Sequence, residues 1–366
     1  MRSSLGPLAW TYLAAQLAAV ALLLTASARA AAYPEPDQGE LVLREFRFAD
    51  GTSQRELKLH YLTLGTPMRD SGGHVTNAVL LLHGTSGRAA SFLTERFAGE
   101  LFGDGQPLDV RRWFVIIPDS IGHGGSSKPS DGLRARFPRY GYADMVKAQY
   151  RVVTEGLHVD HLRMVVGTSM GGMHAWLWAE RYPGFMDAVL PIACLPAQVA
   201  GRNRMERQLI VDAIRNDPQW QGGDYERQPQ SLVTALRMAA ISGGSVQQYY
   251  REAPTLEATD RLLDRLVQRR LPSADANDFL YAWDSSRDYD PAPDLGRVTA
   301  AVTAVNFADD QRNPPELGVM EREIERVARG EYVLVPTSER SRGHASLGDA
   351  ALWKAEVKKL LDRTAR

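Results

Sequence analysis

A series of short, largely apolar runs, each followed by a break and a helical segment, constrains the fold of this chain more than any other feature. The runs occupy residues 78–82, 113–117, 163–166, 188–193, 301–305 and 332–335. Runs without polar alternation are typical of strands buried on both faces of a parallel sheet. Helical periodicity marks residues 142–156, 170–182 and 349–361. Residues 41–48 and 56–64 alternate and flank Asp50-Gly51, which predicts a β-hairpin. We expect an α/β fold: a mostly parallel sheet with helices on both faces and an antiparallel edge at its start.

The series of apolar strand runs is interrupted between residues 197 and 296. This stretch is polar and helix-like, at 205–214, 231–241 and 256–268, and it contains no buried strand run. Because the sheet pattern resumes afterwards, we favour a helical lid inserted into a core of residues 31–196 and 297–366 over a separate domain. Such a lid would lie above the carboxyl edge of the sheet, where α/β folds bind their ligands.

Residues 1–30 have the composition of a secretory signal peptide. They contain two arginines and no acid, an apolar run from 8 to 24, and the small-residue pattern Ala28-Arg29-Ala30. An uncleaved anchor is the alternative, but the run is short for a span of ~20 residues and Gln16 interrupts it. We predict an exported protein, periplasmic or secreted, with no stable membrane insertion after cleavage.

Charge and cysteine content exclude several classes of function. The chain has 43 Lys and Arg against 44 Asp and Glu, a formal net charge of -1, which gives no case for a nucleic-acid partner. Cys194 is the single cysteine, so an intrachain disulfide and a cysteine-based zinc site are excluded. The glycine-rich stretch 122–129 lacks the spacing of a phosphate-binding loop and runs into proline. We predict no metal and no cofactor.

The segment 164–174 contains a G-x-S-x-G motif between an apolar strand run and an apolar helix. That context is the one in which the motif marks a nucleophile on a sharp strand-to-helix turn. Ser169 would adopt strained backbone angles, and Gly167 and Gly171 would leave room for the close approach. We predict that Ser169 is a nucleophile for acyl transfer.

A serine nucleophile needs a histidine base and a carboxylate that orients it. In this architecture both follow the serine in the chain. Of the eight histidines, only His174 and His344 follow Ser169, and His174 lies on the same helix as the serine. His344 is therefore the predicted base. Asp309 and Asp310 directly follow the strand run at 301–305, and either could be the carboxylate.

Acyl transfer also needs hydrogen-bond donors for the oxyanion. The backbone N–H of Met170, directly after the nucleophile, is one expected donor. The second should come from the loop after the first parallel strand, residues 82–87, where the N–H of Thr85 is the candidate. His83 in the same loop is a candidate substrate-binding residue, and His123 is expected to border the pocket.

In these motifs the chain resembles the homoserine O-acetyltransferase family of α/β-hydrolases. The likeness runs from about residue 39 to 361 and includes D-M-V-K-A-Q at 144–149 and S-M-G-G-M at 169–173, with further matches at 77–87, 275–281 and 310–315. The resemblance implies an α/β-hydrolase fold with a catalytic triad of Ser169, Asp310 and His344. It favours Asp310 over Asp309 because the family's aspartate stands four residues before a Pro-Pro or Pro-x pair.

The resemblance also implies a lid arginine associated with the homoserine carboxylate. Arg237 is the candidate for that arginine, but Ser242-Gly243-Gly244 stand where the family has an aromatic residue. Ala345 and Ser346 follow His344, where the family usually has an acidic residue and a phenylalanine. These departures weaken the expectation of homoserine as substrate.

We predict that the enzyme hydrolyses a small or medium carboxylic ester through an acyl-serine intermediate. The near-neutral charge agrees with a small-molecule ester of no charge or weak charge. The alternative is an O-acyltransferase of the homoserine O-acetyltransferase type, which would draw on acyl-CoA. A binding protein that has lost catalysis is a third hypothesis. For the assembly, the alternatives are a monomer and a homodimer.

Overall fold

Five of the six apolar runs form inner strands of one sheet. The run at 332–335 was expected to be buried on both faces, but it forms an edge strand that is only partly buried, because no further strand covers its outer side. The computed structural model describes residues 33–365, and within them the sheet has eight strands in the order β1-β2-β4-β3-β5-β6-β7-β8. The strands are β1 Asp37–Arg47, β2 Ser53–Leu64, β3 Ala78–Leu82, β4 Phe114–Pro118, β5 Leu162–Thr168, β6 Met186–Ile192, β7 Ala301–Phe307 and β8 Gly330–Val335. β1 pairs antiparallel with β2 and β2 with β4, whereas the remaining neighbours are parallel. The predicted fold class, with its antiparallel edge, is confirmed.

The helices of the described chain cover both faces of this sheet. They are α1 Ala98–Leu101, α2 Tyr142–Arg151, α3 Met170–Arg181, α4 Gly201–Arg215, α5 Ser231–Ile241, α6 Val246–Glu252, α7 Leu256–Gln268, α8 Ala276–Asp284, α9 Val319–Ile324 and α10 Lys354–Arg363. Strand β3 shows the two faces, because Leu80 packs in one core with α3 while Val79 packs in another with α10. The last helix begins later than the predicted residue 349, because Ala350–Leu352 form a separate 3₁₀ turn.

Helices α4 to α8 lie between β6 and β7, in the stretch 197–296 where the sequence predicts a lid. They have an apolar core of their own, which includes Ile210, Leu232 and Leu280 from three different helices. A backbone hydrogen bond of 2.9 Å from Ala345 N–H to the Gly243 carbonyl joins these inserted helices to the loop after β8.

The predicted signal peptide, residues 1–30, lies outside the described residues. Among residues 33–365, no helix is both long enough and apolar enough to span a bilayer.

Candidate active site

Ser169 lies on a strained turn at the carboxyl end of the sheet. β5 ends at Thr168 and α3 begins at Met170, and Ser169 between them has φ 54° and ψ −115°, outside the regions that L residues favour. A Cβ on Gly167 would overlap the carbonyl oxygen of Gly171, and a Cβ on Gly171 would overlap that of Leu82. Both positions therefore require glycine, and the turn holds the Ser169 hydroxyl at the start of α3.

His344 joins the serine to an aspartate through two hydrogen bonds. Its Nε2 lies 2.8 Å from Ser169 Oγ, and its Nδ1 lies 2.8 Å from Asp310 Oδ2. With the ring proton on Nδ1, the imidazole donates to the carboxylate and its Nε2 accepts from the serine hydroxyl. The three residues follow β5, β7 and β8, and all three are buried. The structure thus brings together the serine, histidine and aspartate that the sequence singled out.

Asp310 is held as a carboxylate although it is only 1% exposed. Burial raises its pKa, but the charge and hydrogen bond of His344 lower it, as do bonds from the Asn313 side chain and the Arg312 N–H. The net effect is a pKa below the ordinary value of 3.8. An ionised aspartate in this position fixes the imidazole orientation and stabilises the imidazolium that forms when the base takes a proton.

Asp309, the other candidate, plays a different part. Its Oδ2 accepts from the Gly343 N–H at 3.0 Å, and its Oδ1 is buried without a hydrogen-bond partner in the described chain. Asp309 therefore secures the backbone of the loop that carries His344 and makes no contact with the imidazole that would orient it.

The predicted oxyanion donors lie beside Ser169. A Cβ on Gly84 would stand 3.3 Å from the Ser169 Cβ, so the loop after β3 borders the nucleophile. Neither the Thr85 N–H nor the Met170 N–H donates a hydrogen bond within residues 33–365. The Thr85 carbonyl faces the other way and accepts from His123 Nε2 at 2.8 Å. Two free amide donors next to a nucleophile are the arrangement that stabilises a tetrahedral oxyanion.

His83 is buried under the same loop and is fully engaged. Its Nε2 accepts from the Ser120 N–H at 3.0 Å, so its Nδ1 carries the proton and donates to the Gly84 carbonyl at 2.9 Å. Burial and the nearby His123 together lower the pKa of His83 to about 4. A neutral imidazole with both nitrogens occupied supports the loop, although its ring also borders the cavity over Ser169.

The cavity over Ser169 and His344 has a volume of about 310 Å³. Phe92, Phe97 and Leu347 form an apolar part of its wall. A neighbouring cleft of about 460 Å³ shares the 85–87 loop with it. A larger cavity of about 780 Å³ lies at the opposite end of the strands and contains no triad residue, so the smaller one is the candidate active site.

Arg237 does not lie with these residues. It points from α5 to Asp264 on α7, with 3.1 Å between Nη2 and Oδ1, and its side chain is half exposed. Its neighbour Leu236 is buried and lines the cleft beside the active site. Successive helical residues are rotated by ~100°, so one position separates a side chain that faces the cleft from one that does not.

Two arginines that sequence reasoning missed line the cavity, Arg270 and Arg312. Arg312 follows Asp310 closely, in the loop after β7, and a cation at the carboxyl end of a buried strand could have signalled it. Arg270 lies just beyond the end of α7 among other charged residues. No pattern in the sequence separates it from Arg269 beside it.

The described chain contains no cluster of three or more His, Cys, Asp or Glu side chains that could hold a metal ion. Cys194 is buried after β6 at the foot of α3, where a Cβ on Gly172 would lie 2.7 Å from its sulfur. The thiol therefore fills a tight position in the core.

The chain is similar to known proteins over most of its length. Residues 77–280 match the family described as the alpha/beta hydrolase fold. A homoserine O-acetyltransferase of Leifsonia xyli subsp. xyli is 30% identical over 311 residues, which are 74% of this chain and 75% of that protein.

Two solved structures share the fold. The homoserine O-acetyltransferase from Bacillus anthracis has a TM-score of 0.78 at 23% identity, over 90% of this chain and 98% of that one. The acetyl esterase MekB has a TM-score of 0.76 at 22% identity, over 90% and 97%. The same architecture therefore occurs in proteins described as a transferase and as an esterase.

Proposed function

We propose that this chain, which belongs to the α/β-hydrolase family and is an enzyme of that family, hydrolyses a small or medium carboxylic ester through an acyl-serine intermediate. The observation that carries the proposal is the unbroken hydrogen-bonded series from Asp310 through His344 to Ser169, which ends at the floor of a cavity. A nucleophile, its base and the base's orienting carboxylate in this geometry are the parts that acyl transfer requires.

The reaction follows from the positions of the atoms. His344 Nε2 takes the proton of the Ser169 hydroxyl as Oγ attacks the ester carbonyl carbon. The N–H groups of Met170 and Thr85 donate to the oxyanion that forms. When the tetrahedral intermediate collapses, the bond to the alcohol oxygen breaks, and that oxygen takes the proton from His344. Water then attacks the acyl-serine with His344 as base, the carboxylic acid leaves and the Ser169 hydroxyl is restored.

Water is the proposed acceptor because the sequence of residues 1–30 predicts a signal peptide. An acyl-CoA donor is a cytosolic metabolite, whereas an exported enzyme meets water and few thioesters. We therefore infer that the protein acts after export, in the periplasm or outside the cell, on an ester already present there. Homoserine O-acetyltransferases are similar to this chain in sequence and fold, and the proposed hydrolysis differs from acyl transfer in what resolves the acyl-serine.

The test is hydrolysis of p-nitrophenyl acetate and butyrate by the protein without residues 1–30. The Ser169→Ala variant should lose about 10³-fold or more in kcat, because the covalent route is closed. Ser71→Ala is the matched control: Ser71 is exposed in a loop far from the cavity, and this variant should keep wild-type activity. Full activity in Ser169→Ala would reject the proposal.

Acyl transfer to an amino acid or alcohol is the second candidate, favoured by the 30% identity to a homoserine O-acetyltransferase. A coupled assay with acetyl-CoA and homoserine, serine or small alcohols measures it directly. Release of CoA that depends on both the acceptor and Ser169 would assign the chain to the transferases. If CoA release stays at the background rate with every acceptor, these acceptors are eliminated as substrates.

A further inference from the structure

The cavity over Ser169 is positively charged. Arg270 and Arg312 both line it, and no aspartate or glutamate does so within the described chain. Elsewhere the protein compensates clustered arginines: Arg139, Arg215 and Arg287 all make ion pairs with Asp284. In the wall of this cavity, by contrast, one of the two arginines has no acidic partner in the described chain.

Arg312 is a fixed part of the wall. Its Nη2 pairs with Glu206 Oε1 at 3.0 Å, and its Nε donates to Ser242 Oγ at 2.8 Å. Its guanidinium also lies over the Trp283 ring, 5.1 Å from the centroid. Glu206 neutralises this charge from behind, so Arg312 alone does not leave the cavity with a net charge.

Arg270 differs because no carboxylate lies within ion-pair distance of it in residues 33–365, and its side chain donates no hydrogen bond there. The side chain keeps access to solvent and faces both the active-site cavity and the neighbouring cleft. Its pKa is lowered by burial and by the charge of Arg312, so the two guanidiniums repel each other across a partly enclosed space. An anion between them would relieve that repulsion.

We propose that Arg270 binds a carboxylate of the substrate, so that the physiological ester is an anion without an ammonium group. The inference rests on the proposed function and adds a substrate class to it. A guanidinium presents a planar pair of N–H donors that matches a carboxylate. An amino-acid ester would also need an acidic partner for its ammonium group. Asp275 and Asp278 share the neighbouring cleft with Arg270, but neither they nor any other acidic side chain of the described chain lines the cavity over Ser169. The apolar wall of Phe92, Phe97 and Leu347 receives the hydrocarbon part.

This proposal revises the expectation of an uncharged or weakly charged ester. Net charge is a sum over the whole surface, and the balance of 43 basic and 44 acidic residues says nothing about which charges surround one cavity. Around Ser169, Arg270 is a cation that has no acidic partner in the described chain.

The test compares matched esters with and without the carboxylate. On the acyl side, the pair is the p-nitrophenyl monoester of glutaric acid and p-nitrophenyl pentanoate. On the alcohol side, the set is 3-acetoxypropanoate, its methyl ester and O-acetylserine, which is the same skeleton with an added ammonium group. In either the acyl-side or the alcohol-side comparison, kcat/KM for the anionic ester should exceed that for the neutral ester about tenfold to hundredfold, as for a charge-assisted hydrogen bond. The comparison that shows this preference identifies the part of the ester that carries the carboxylate.

Arg270→Gln should remove most of this preference by raising KM for the anionic ester. Arg269→Gln is the matched control: it deletes a neighbouring charge that lies outside the cavity, and the preference should stay at the wild-type value. O-acetylserine should be a poorer substrate than 3-acetoxypropanoate. Rising salt concentration should reduce the preference, because it screens the charge of a solvent-accessible arginine.

The outcomes separate this inference from the proposed function. If wild-type protein hydrolyses neutral esters but shows no preference for the anion in either comparison, or if Arg270→Gln leaves the preference intact, the carboxylate site is rejected and the hydrolase proposal stands. If no ester is cleaved, binding decides: glutarate should raise the melting temperature of the wild-type protein and not that of Arg270→Gln. Equal shifts in the two proteins would reject the site.

Discussion

Exchanging Asp310 for asparagine tests the triad with a change of one atom. In the wild type, Asp310 Oδ1 accepts from the Arg312 N–H at 2.8 Å, and Oδ2 accepts from Asn313 Nδ2 at 3.1 Å and from His344 Nδ1 at 2.8 Å. The asparagine side chain has one oxygen, so it can accept hydrogen bonds only at the position of Oδ1 or at that of Oδ2. In either orientation its NH₂ group faces a group that donated a hydrogen bond to the wild-type carboxylate.

The less costly orientation keeps the oxygen toward the Arg312 N–H, because that backbone group cannot turn away. The NH₂ group then faces His344 Nδ1, which can accept only without its proton. The ring proton therefore moves to Nε2, where it points at Ser169 Oγ, and the base is lost. Loss of the productive tautomer lowers kcat by about 10⁴-fold, which is about 5 kcal/mol in the activation barrier.

Asp309→Asn is the control, because it makes the same chemical change one residue away. The asparagine oxygen can keep the bond from Gly343 N–H, and its NH₂ group occupies the place of an oxygen that has no partner in the described chain. We expect a loss of less than tenfold. The measurement is kcat/KM on p-nitrophenyl acetate, with near-equal circular dichroism spectra for both variants. Equal losses in the two variants, or Asp310→Asn activity above about a tenth of wild type, would refute the assignment of Asp310.

Two further predictions concern the loop of the base and a buried acid. Gly343→Ala should lower kcat about 10- to 100-fold, since Gly343 has φ 58° and an added Cβ would lie 2.8 Å from the Gly244 backbone, which displaces the adjacent imidazole; Gly318→Ala, with φ 59° and open space around the Cβ, should keep wild-type activity in the same assay. Burial raises the pKa of Glu180 from its ordinary 4.5 to about 7, so the folded state favours the protonated acid and stability is lost as pH rises from 4.5 to about 7. Glu180→Gln should therefore raise the melting temperature by a few degrees at pH 8 and little at pH 5, and an equal effect at both pH values would contradict this account.

The sheet could be predicted because burial on both faces leaves a direct trace in the sequence. A strand such as β3 must be apolar at every position, since Val79 and Leu80 face different cores. The strained turn at Ser169 was predictable for a similar reason: it excludes every side chain at Gly167 and Gly171, so the motif states a steric requirement. The order of strands is different, because the pairing of β3 with both β4 and β5 depends on crossover connections that no local pattern records.

The choice between Asp309 and Asp310 shows where local reasoning ends. Both follow β7, both are acidic, and the chain alone offers no physical reason to prefer one. The resemblance favoured Asp310 through its distance from Pro314-Pro315. In the structure, the two carboxylates diverge and reach the His344 loop at different atoms, one at the imidazole and one at the Gly343 backbone. The two aspartates differ in the direction of their side chains, which only the three-dimensional structure shows.

Substrate-binding residues are the part of the site that is hardest to predict from the sequence. Leu236 lines the cleft whereas Arg237 pairs with Asp264, because a step of one residue turns a side chain by ~100° around the helix. Arg270 reaches the cavity of Ser169 only because the inserted helices fold over the sheet. Its neighbour Arg269 has the same charge and propensity, and the two differ only in the direction of the side chain. The residues of the proposed triad are constrained by a turn and by the ends of strands, and these constraints are local. The residues that select the ester are constrained by the packing of the inserted helices, so two chains with the same triad and strand pattern can differ in the charge of the ester they accept.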